Sequence, residues 1–398
     1  MVEGFKNTDA GIIPNDWNAP LLSEISNFEN GKAHEQFIDD KGDYIVVNSK
    51  FISQDGKVVK YSNENLSPLA KGSIAIVMSD IPNGKALAKC FSIDRDNLYT
   101  LNQRIGSIMP FDEINDDYLF YILNRNRYFL AFDSGSGQTN LKKREILACP
   151  IALPPTNEEQ TAIATAIKNT DALINQLERL LTKKRNIKKG AMQELLKPKG
   201  NWAVIKFGDV LKSTQLGGNY SNSTIQSEFP LIKMGNLQRG YISLNKMEFI
   251  NQKADEKDRL HYGDLLFNTR NTLDLVGKVA IWRNELNKAY FNSNIMRMTF
   301  KENLIVSNFF ANSLLNMPFM IQKLKDIATG TTSVAAIYTK DLIQIDLPFP
   351  DKTEQNRIAQ ILSDMDNEIQ EFEKELEKYK MLKQGMMQSL LTGKIRLV

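Results

Sequence analysis

The stretch from Thr156 to Lys197 occurs twice in this chain. Moving it forward by 195 positions places Glu159-Gln160 on Glu354-Gln355, Ile163-Ala164 on Ile358-Ala359 and Asp171 on Asp366. At the far end Gly190, Met192, Gln193, Leu195 and Leu196 fall on Gly385, Met387, Gln388, Leu390 and Leu391. A period of about half the chain means a duplicated module of domain size and excludes a solenoid of short units.

Both copies read as long amphipathic helices. Ile163, Ile167, Thr170, Ile174, Leu177 and Leu181 recur at alternating steps of four and three, and Ile358, Leu362, Met365, Ile369, Phe372 and Leu376 keep the same phase. This is an a/d seam. Thr156 stands three before Glu159 and Asp351 three before Glu354, the spacing in which a cap oxygen and a carboxylate satisfy backbone donors reciprocally. Pro154-Pro155 and Pro348-Phe349-Pro350 keep the chain extended up to each cap. Gly190 and Gly385 are expected to weaken or bend the helices near their ends. A lone helix with such a seam would expose too much apolar surface, so each needs a partner. The other copy is the obvious one, packing on the helix's own domain being the alternative.

The modules before the helices match as well. Each opens on a turn-rich arm leading to a tryptophan, Trp17 or Trp202, read as a core anchor. Strand-like segments follow: Tyr44 to Asn48 and Ser73 to Met78 in the first half, Phe229 to Lys233 and Asp264 to Asn268 in the second. After the second strand of each comes a polar loop ending in Gly-Lys, Ser79 to Lys85 against Thr269 to Lys278. Then come another strand, Gln103 to Met109 or Ser293 to Met298, and a helix, from Asp117 to about Phe132 or from about Ser307 to Leu324, with Pro318 starting a new turn or a kink. Each module closes on a small polar loop, Ser134 to Asn140 or Ala328 to Ser333, then basic residues and a terminal strand, Ile151 to Pro154 or Ile345 to Pro348. The resulting division is a domain at 1–155, a helical region at 156–198, a domain at 199–350 and a helical region at 351–398.

Several kinds of chemistry are missing. No glycine-rich fingerprint has the spacing that binds dinucleotides, and no Gly-x-x-x-x-Gly-Lys-Ser/Thr loop would cradle a triphosphate. Leu153-Pro154-Pro155-Thr156 lacks the polar first residue and the aromatic of the amino-methyltransferase tetrapeptide. Asp351 and Glu354 superficially resemble a nuclease carboxylate pair, but their repeat position makes them a helix cap. The two histidines, His34 and His261, are read as ordinary surface or loop residues, and with Cys90 and Cys149 far apart no metal pattern or disulfide framework exists. No catalytic residue and no metal ligand is assigned, and the chain is expected to catalyse nothing by itself. With no signal-like N-terminus and no apolar run long enough to cross a bilayer, a reducing cytoplasm and no membrane partner are expected.

The net charge of +3 makes the chain no polycation, though a local basic face can still bind nucleic acid. Domain, helix, domain, helix in that order implies two α/β (α+β) domains joined by two long helices. If these pair, they pair as an antiparallel coiled coil in a pseudo-two-fold object. Roughly 30 helical residues at ~1.5 Å each set the domains ~45 Å apart, a little over one ~34 Å duplex turn. Two diverged readers on such a ruler predict a bipartite, asymmetric target with a fixed spacer.

The chain resembles the specificity subunits of type I restriction-modification systems, with two target-recognition domains separated and followed by repeated helical regions. The similarity rests on two strings in register: Ser134 to Thr139 followed by Leu153-Pro154-Pro155 and Glu159-Gln160, and Thr329 to Ser333 followed by Leu347 to Pro350 and Glu354-Gln355. It implies a subunit that selects double-stranded DNA while partners act. Two modification subunits would methylate adenine with S-adenosylmethionine, and restriction (motor-nuclease) subunits would translocate and cut with ATP and magnesium. It also implies α/β recognition domains like those of adenine-specific methyltransferases, presenting loops to the major groove.

Carried onto this chain, the resemblance puts the loops Ser79 to Lys85, Thr269 to Lys278, Ser134 to Lys143 and Gly330 to Lys340 near DNA. Arg270, Asn271, Gln138 and Asn140 are the candidate base readers, since Arg suits guanine and Asn or Gln suits adenine. Lys85, Lys142, Lys143, Lys278 and Lys340 are candidate phosphate contacts, and Arg104, Thr139, Thr272, Thr331 and Thr332 complete the candidate set. A solvated charge or a turn residue is the bland alternative at each. Two other functions compete: a two-headed, non-catalytic protein scaffold on a coiled coil, and a self-sufficient modification enzyme, which the missing motifs disfavour.

Overall fold

A computed structural model describes residues 4–81, 84–133, 135–305 and 307–397. The chain forms two compact units, one built from Met1–Glu178 with Glu375–Val398 and the other from Arg179–Lys374. Each unit therefore holds one globular part and a portion of both long helices, a cut different from a division into domains and helical regions.

In the first unit the order is β1 (Phe5–Thr8), β2 (Gly11–Pro14), α1 (Leu22–Ile25), β3 (Ser26–Asn30), β4 (Tyr44–Val47), α2 (Ser49–Ser53), β5 (Tyr61–Ser62), β6 (Ile74–Val77), β7 (Ser79–Asp80), β8 (Cys90–Ser92), β9 (Tyr99–Leu101) and β10 (Ile105–Pro110). Then come α3 (Asp116–Leu123), α4 (Arg127–Leu130), β11 (Thr139–Asn140), α5 (Lys143–Leu147) and the long α6 (Asn157–Leu195), which continues into the second unit. The central antiparallel sheet has the order β3-β10-β6-β8. Strand β6 is buried along its whole length, because both faces are covered. Ile74 and Ile76 join Leu119, Phe129 and Ile146 on one side, while Ala75 and Val77 join Val47, Phe51 and Leu101 on the other. The second core lies under the β5-β4-β9 sheet, in which β4 and β9 run parallel.

The second unit repeats the plan with β12 (Ala203–Lys206), α7 (Phe207–Val210), β13 (Leu211–Leu216), β14 (Asn222–Ser223), β15 (Pro230–Ile232), β16 (Glu248–Ile250), β17 (Leu265–Asn268), β18 (Arg270–Asn271), β19 (Val279–Ile281), β20 (Tyr290–Phe291) and β21 (Ile295–Phe300). It ends with α8 (Asn308–Leu315), α9 (Pro318–Asp326), β22 (Thr329–Gly330), β23 (Ala335–Ala336), α10 (Thr339–Leu342), β24 (Asp346–Phe349) and α11 (Lys352–Leu390), whose last part belongs to the first unit. The sheet β13-β21-β17-β19 matches the first unit's strand for strand. Leu265 and Phe267 face one core and Leu266 the other. Both Trp17 and Trp202 are buried, as core anchors should be.

The seam residues Ile163, Ile167, Ile174, Leu177, Leu181, Ile358, Leu362, Ile369 and Leu376 are all buried, and Phe372 partly so. In the first unit Ile163, Ala164 and Ile167 pack with Trp17, Tyr118 and Tyr121 of the globular part and with Leu390 and Met386 of α11. The second unit mirrors this, with Ile358, Ala359 and Leu362 meeting Trp202, Phe310 and Leu314 as well as Leu196 and Met192 of α6. So at each helix start the two expected partners, own domain and other helix, are both used. Ion pairs give the direction. Asp171 pairs with Lys383 at 2.6 Å and Glu178 with Lys380 at 3.2 Å in the first unit, and Lys184 with Glu368 at 2.5 Å and Lys188 with Asp366 in the second. One index rises as the other falls, so the helices run antiparallel within each unit.

Other expectations need correction. The helix drawn from Asp117 to Phe132 breaks, because Arg125 takes a left-handed conformation (φ 59°) and is held there by its N–H on Ala88 O at 2.8 Å and its Nη1 on Leu87 O at 3.0 Å. Pro318 does start a new helix in the second unit. Both long helices run unbroken through Gly190 and Gly385. The strand expected at Ile151 to Pro154 is reduced to the isolated bridges Asn18↔Leu153 and Leu21↔Pro150, whereas β24 is a full strand paired with β12. His34 is no surface residue: it is fully buried, its ring nitrogens each 2.7 Å from Lys32 O and Thr100 Oγ1. His261 is exposed.

Half of each helix cap is present, with Glu159 N donating to Thr156 Oγ1 at 3.2 Å and Glu354 N to Asp351 Oδ1 at 2.9 Å. The carboxylates go elsewhere, Glu159 to Arg396 and Glu354 to Arg357 and Lys199. The neighbouring glutamines are buried clamps. Gln160 Oε1 accepts from Asn115 N at 2.9 Å, and Gln355 Nε2 donates to Leu304 O and Pro350 O, both at 3.0 Å.

Candidate nucleic-acid interface

In each unit the two loops singled out in the sequence meet. Strand β7 is the short continuation of the core strand β6, and it pairs with β11 so that Thr139 faces Asp80 and Asn140 faces Ser79. In the second unit β18 continues from β17 and pairs with β23, Arg270 opposite Ala336 and Asn271 opposite Ala335, while β22 adds a third strand. A fully buried strand thus carries a two-residue ribbon out of the core, and the polar loop before α5 or α10 returns beside it. Pro82, Asn83 and Ser134, which belong to the expected loops, lie outside the described residues.

Within the first ribbon Gln138 Nε2 donates to Ser79 Oγ at 2.6 Å and lies 3.4 Å from Asn140 Oδ1. Gln138 and Asn140 are exposed, whereas Thr139 is buried and donates to Asp133 Oδ1 at 3.2 Å, a framework role. Arg104 is exposed, and its carbonyl accepts from Met78 N at 3.1 Å, just before the ribbon. Lys85 and Lys142 are also exposed. Lys143 is tied back to its own domain, its Nζ 3.2 Å from Phe28 O and 5.6 Å from that residue's ring centre.

One organiser of this loop carried no motif. Asp80 accepts from the backbone N–H groups of Ile81 at 2.9 Å, Ala86 at 2.7 Å and Leu87 at 3.0 Å, so the loop wraps around its carboxylate.

The second ribbon is fastened by backbone bonds, Leu273 N to Thr332 O at 3.1 Å and Ile337 N to Thr269 O at 2.9 Å. Arg270 projects from it exposed, with Asn271 and Thr272 half-buried beside it. Thr331 and Thr332 are exposed, Thr331 Oγ1 lying 3.1 Å from Ser333 Oγ. Lys340 is exposed at the start of α10. Lys278 is half-buried and donates to Gln238 Oε1 at 3.1 Å. Burial, and after it the nearby Arg239, holds the Lys278 ammonium below its usual range. Arg239 lies outside every motif; an Arg-Gly pair in a turn was its sole signal.

Among the described residues the side chains of Lys85, Arg104, Lys142, Arg270 and Lys340 are joined to no carboxylate or other partner. Exposed, unneutralised cations and amides on a stiff two-strand support are what phosphate contact and base-edge hydrogen bonding require. Among the described residues no helix is long and apolar enough to cross a membrane.

Relatives bear on what these ribbons serve. The MjaVIII specificity subunit of a type I restriction enzyme from Methanocaldococcus jannaschii is 26% identical, over 99% of this chain and 96% of its own length. A crystal structure of the type I restriction-modification system S subunit from M. genitalium superposes with a TM-score of 0.59 at 15% identity, covering 94% of this chain and 96% of that one. A chain from a structure titled for complex assembly and conformational transition of the type I R-M system gives a TM-score of 0.52 at 14% identity, over 96% and 99% of the two chains. These structural likenesses speak for the fold. The sequence pattern of the type I restriction modification DNA specificity domain is matched twice, over residues 14–189 and 199–379, and the chain belongs to that family.

Proposed function

We propose that this chain is the DNA sequence-specificity subunit of a type I restriction-modification complex and is itself non-catalytic. The observation that carries the reading is the double family match, one per repeat, with a projecting polar ribbon in each matched half. Two unlike ribbons, Gln138 and Asn140 on one and Arg270 and Asn271 on the other, would read two unlike half-sites of a bipartite, asymmetric target. The paired helices would set the spacer and dock two modification subunits, with restriction subunits completing the complex. S-adenosylmethionine, ATP and magnesium are assigned to those partners. A protein scaffold would have no need of the exposed Arg and Lys side chains on or beside both ribbons.

The test is an exchange of residues 1–155 for another recognition module, followed by genome-wide mapping of methylated adenines. One half of the target should change and the other stay. Adding one heptad to both helices should alter the spacer alone. An unchanged target after either manipulation would overturn the reading.

A further inference from the structure

The second unit carries two cations, Arg239 and Lys278, on adjoining segments, and among the described residues neither forms an ion pair. Arg239 sits in a turn closed by the Leu237↔Ile242 bridge, next to Gly240, whose φ is +93°. Gly240 N donates to Val279 O at 2.8 Å and bridges Ala280 in parallel, which lays residues 238–240 along 278–280. Across that line Lys278 Nζ reaches Gln238 Oε1 at 3.1 Å. Among the described residues neither Arg239 nor Lys278 has an ion-pair partner, and Arg239 Nη1 is buried with no hydrogen-bond partner at all. Burial also holds both cations below their usual range.

A desolvated donor without an acceptor and two neighbouring like charges are each unfavourable. One anion between them would relieve both. The pair's position says which anion: Lys278 O accepts from Asn268 N at 2.9 Å, and Asn268 Oδ1 accepts from Arg270 N at 3.2 Å, so the two cations stand at the root of the Arg270 ribbon.

We propose that Arg239 and Lys278 together grip a single backbone phosphate of the duplex, fixing the height at which the Arg270 ribbon enters the groove. The proposal rests on the specificity-subunit reading. A guanidinium offers a planar fork to two phosphate oxygens and an ammonium a point charge, and such a contact positions the protein without reading sequence. Free inorganic phosphate shares this chemistry and is the competing source.

The experiment uses the chain assembled with its partner subunits, its mapped target duplex and a scrambled duplex, over a series of salt concentrations. Arg239→Gln and Lys278→Gln should each weaken binding to both duplexes equally, by roughly three- to tenfold, and lower the salt slope by about one. Arg239→Lys, which keeps the charge and loses the fork, should weaken binding less than Arg239→Gln does. A duplex carrying one uncharged methylphosphonate, moved along the backbone, should reveal a position at which wild type loses affinity while both Gln variants do not. Unaltered binding by the folded variants, a loss confined to the target duplex, or different insensitive positions for the two variants would overturn the proposal. So would inorganic phosphate binding that depends on both residues while duplex binding does not. If wild type fails to prefer its target over the scrambled duplex, the specificity reading itself falls; if it discriminates and the variants behave as wild type, the phosphate grip alone falls.

Discussion

Lys383 Nζ lies 2.6 Å from Asp171 Oδ1, and the repeat-equivalent residues Lys188 and Asp366 form the same ion pair in the second unit. Glu178 with Lys380 recurs likewise as Glu373 with Arg185. Duplication has thus kept the register of helix pairing as well as the helices themselves. Tyr121 also donates to Asp171 Oδ2 at 3.0 Å, tying the pair to the globular part. A double-mutant cycle on Asp171→Ala and Lys383→Ala should give a coupling of about 0.5–1 kcal/mol, the range for partly exposed pairs. Urea denaturation measures it, and a coupling of zero would show that the contact contributes nothing to the register.

Two glycines mark equivalent close approaches. A Cβ on Gly31 would stand 2.1 Å from Asn102 O, and one on Gly217 2.2 Å from Phe291 O. The obstacles are backbone atoms held by strand and bridge bonds, so they cannot turn aside as a side chain could. Gly31→Ala and Gly217→Ala should each cost about 2 kcal/mol or more. Denaturation midpoints within the error of wild type would refute this.

Arg357, and then Lys199, hold the Glu354 carboxyl well below its usual range, at about 2. A depressed folded value means the unfolded chain binds the proton more readily. The stabilisation is therefore complete above the unfolded value near 4.5 and is lost as pH falls towards 2. The gap in melting temperature between wild type and Glu354→Gln should stay constant above about pH 5 and close below it. A gap that persists to pH 2 would assign the stabilisation to packing.

Arg270 is exposed, among the described residues its side chain has no partner, and it is carried on β18, which pairs with β23. As a base reader its replacement by Ala should cost about 1–3 kcal/mol on the target and relax the preference at one base pair. Binding to a set of singly substituted duplexes distinguishes this from a phosphate contact, whose loss would be uniform.

The two long helices were legible because their apolar spacing is local and repeats over many turns, whereas the pairing of the polar loops within each module was not read from the sequence. What stayed hidden depends on distant partners. Arg125 breaks a helix through bonds to Leu87 and Ala88, and nothing in its neighbours announces a left-handed residue. Thr156 looked like half of a capping box, yet the carboxylate of Glu159 is claimed by Arg396 from the other end of the chain. His34 read as a surface or loop residue because its partner, Thr100, is remote. Arg239 was passed over for the same reason, its neighbour Lys278 being remote in sequence.

The second unit is one uninterrupted stretch, whereas the first combines two stretches separated by the whole of the second. Arg396 reaches Asp16 at 3.0 Å, and Leu390 covers Ile163 and Ile167. Translation is vectorial, so that apolar face emerges from the ribosome long before its cover is made. A chain truncated after Lys374 should be cut by protease in its first unit while its second resists. Residues made after Lys374 thus close a structure begun about two hundred residues earlier.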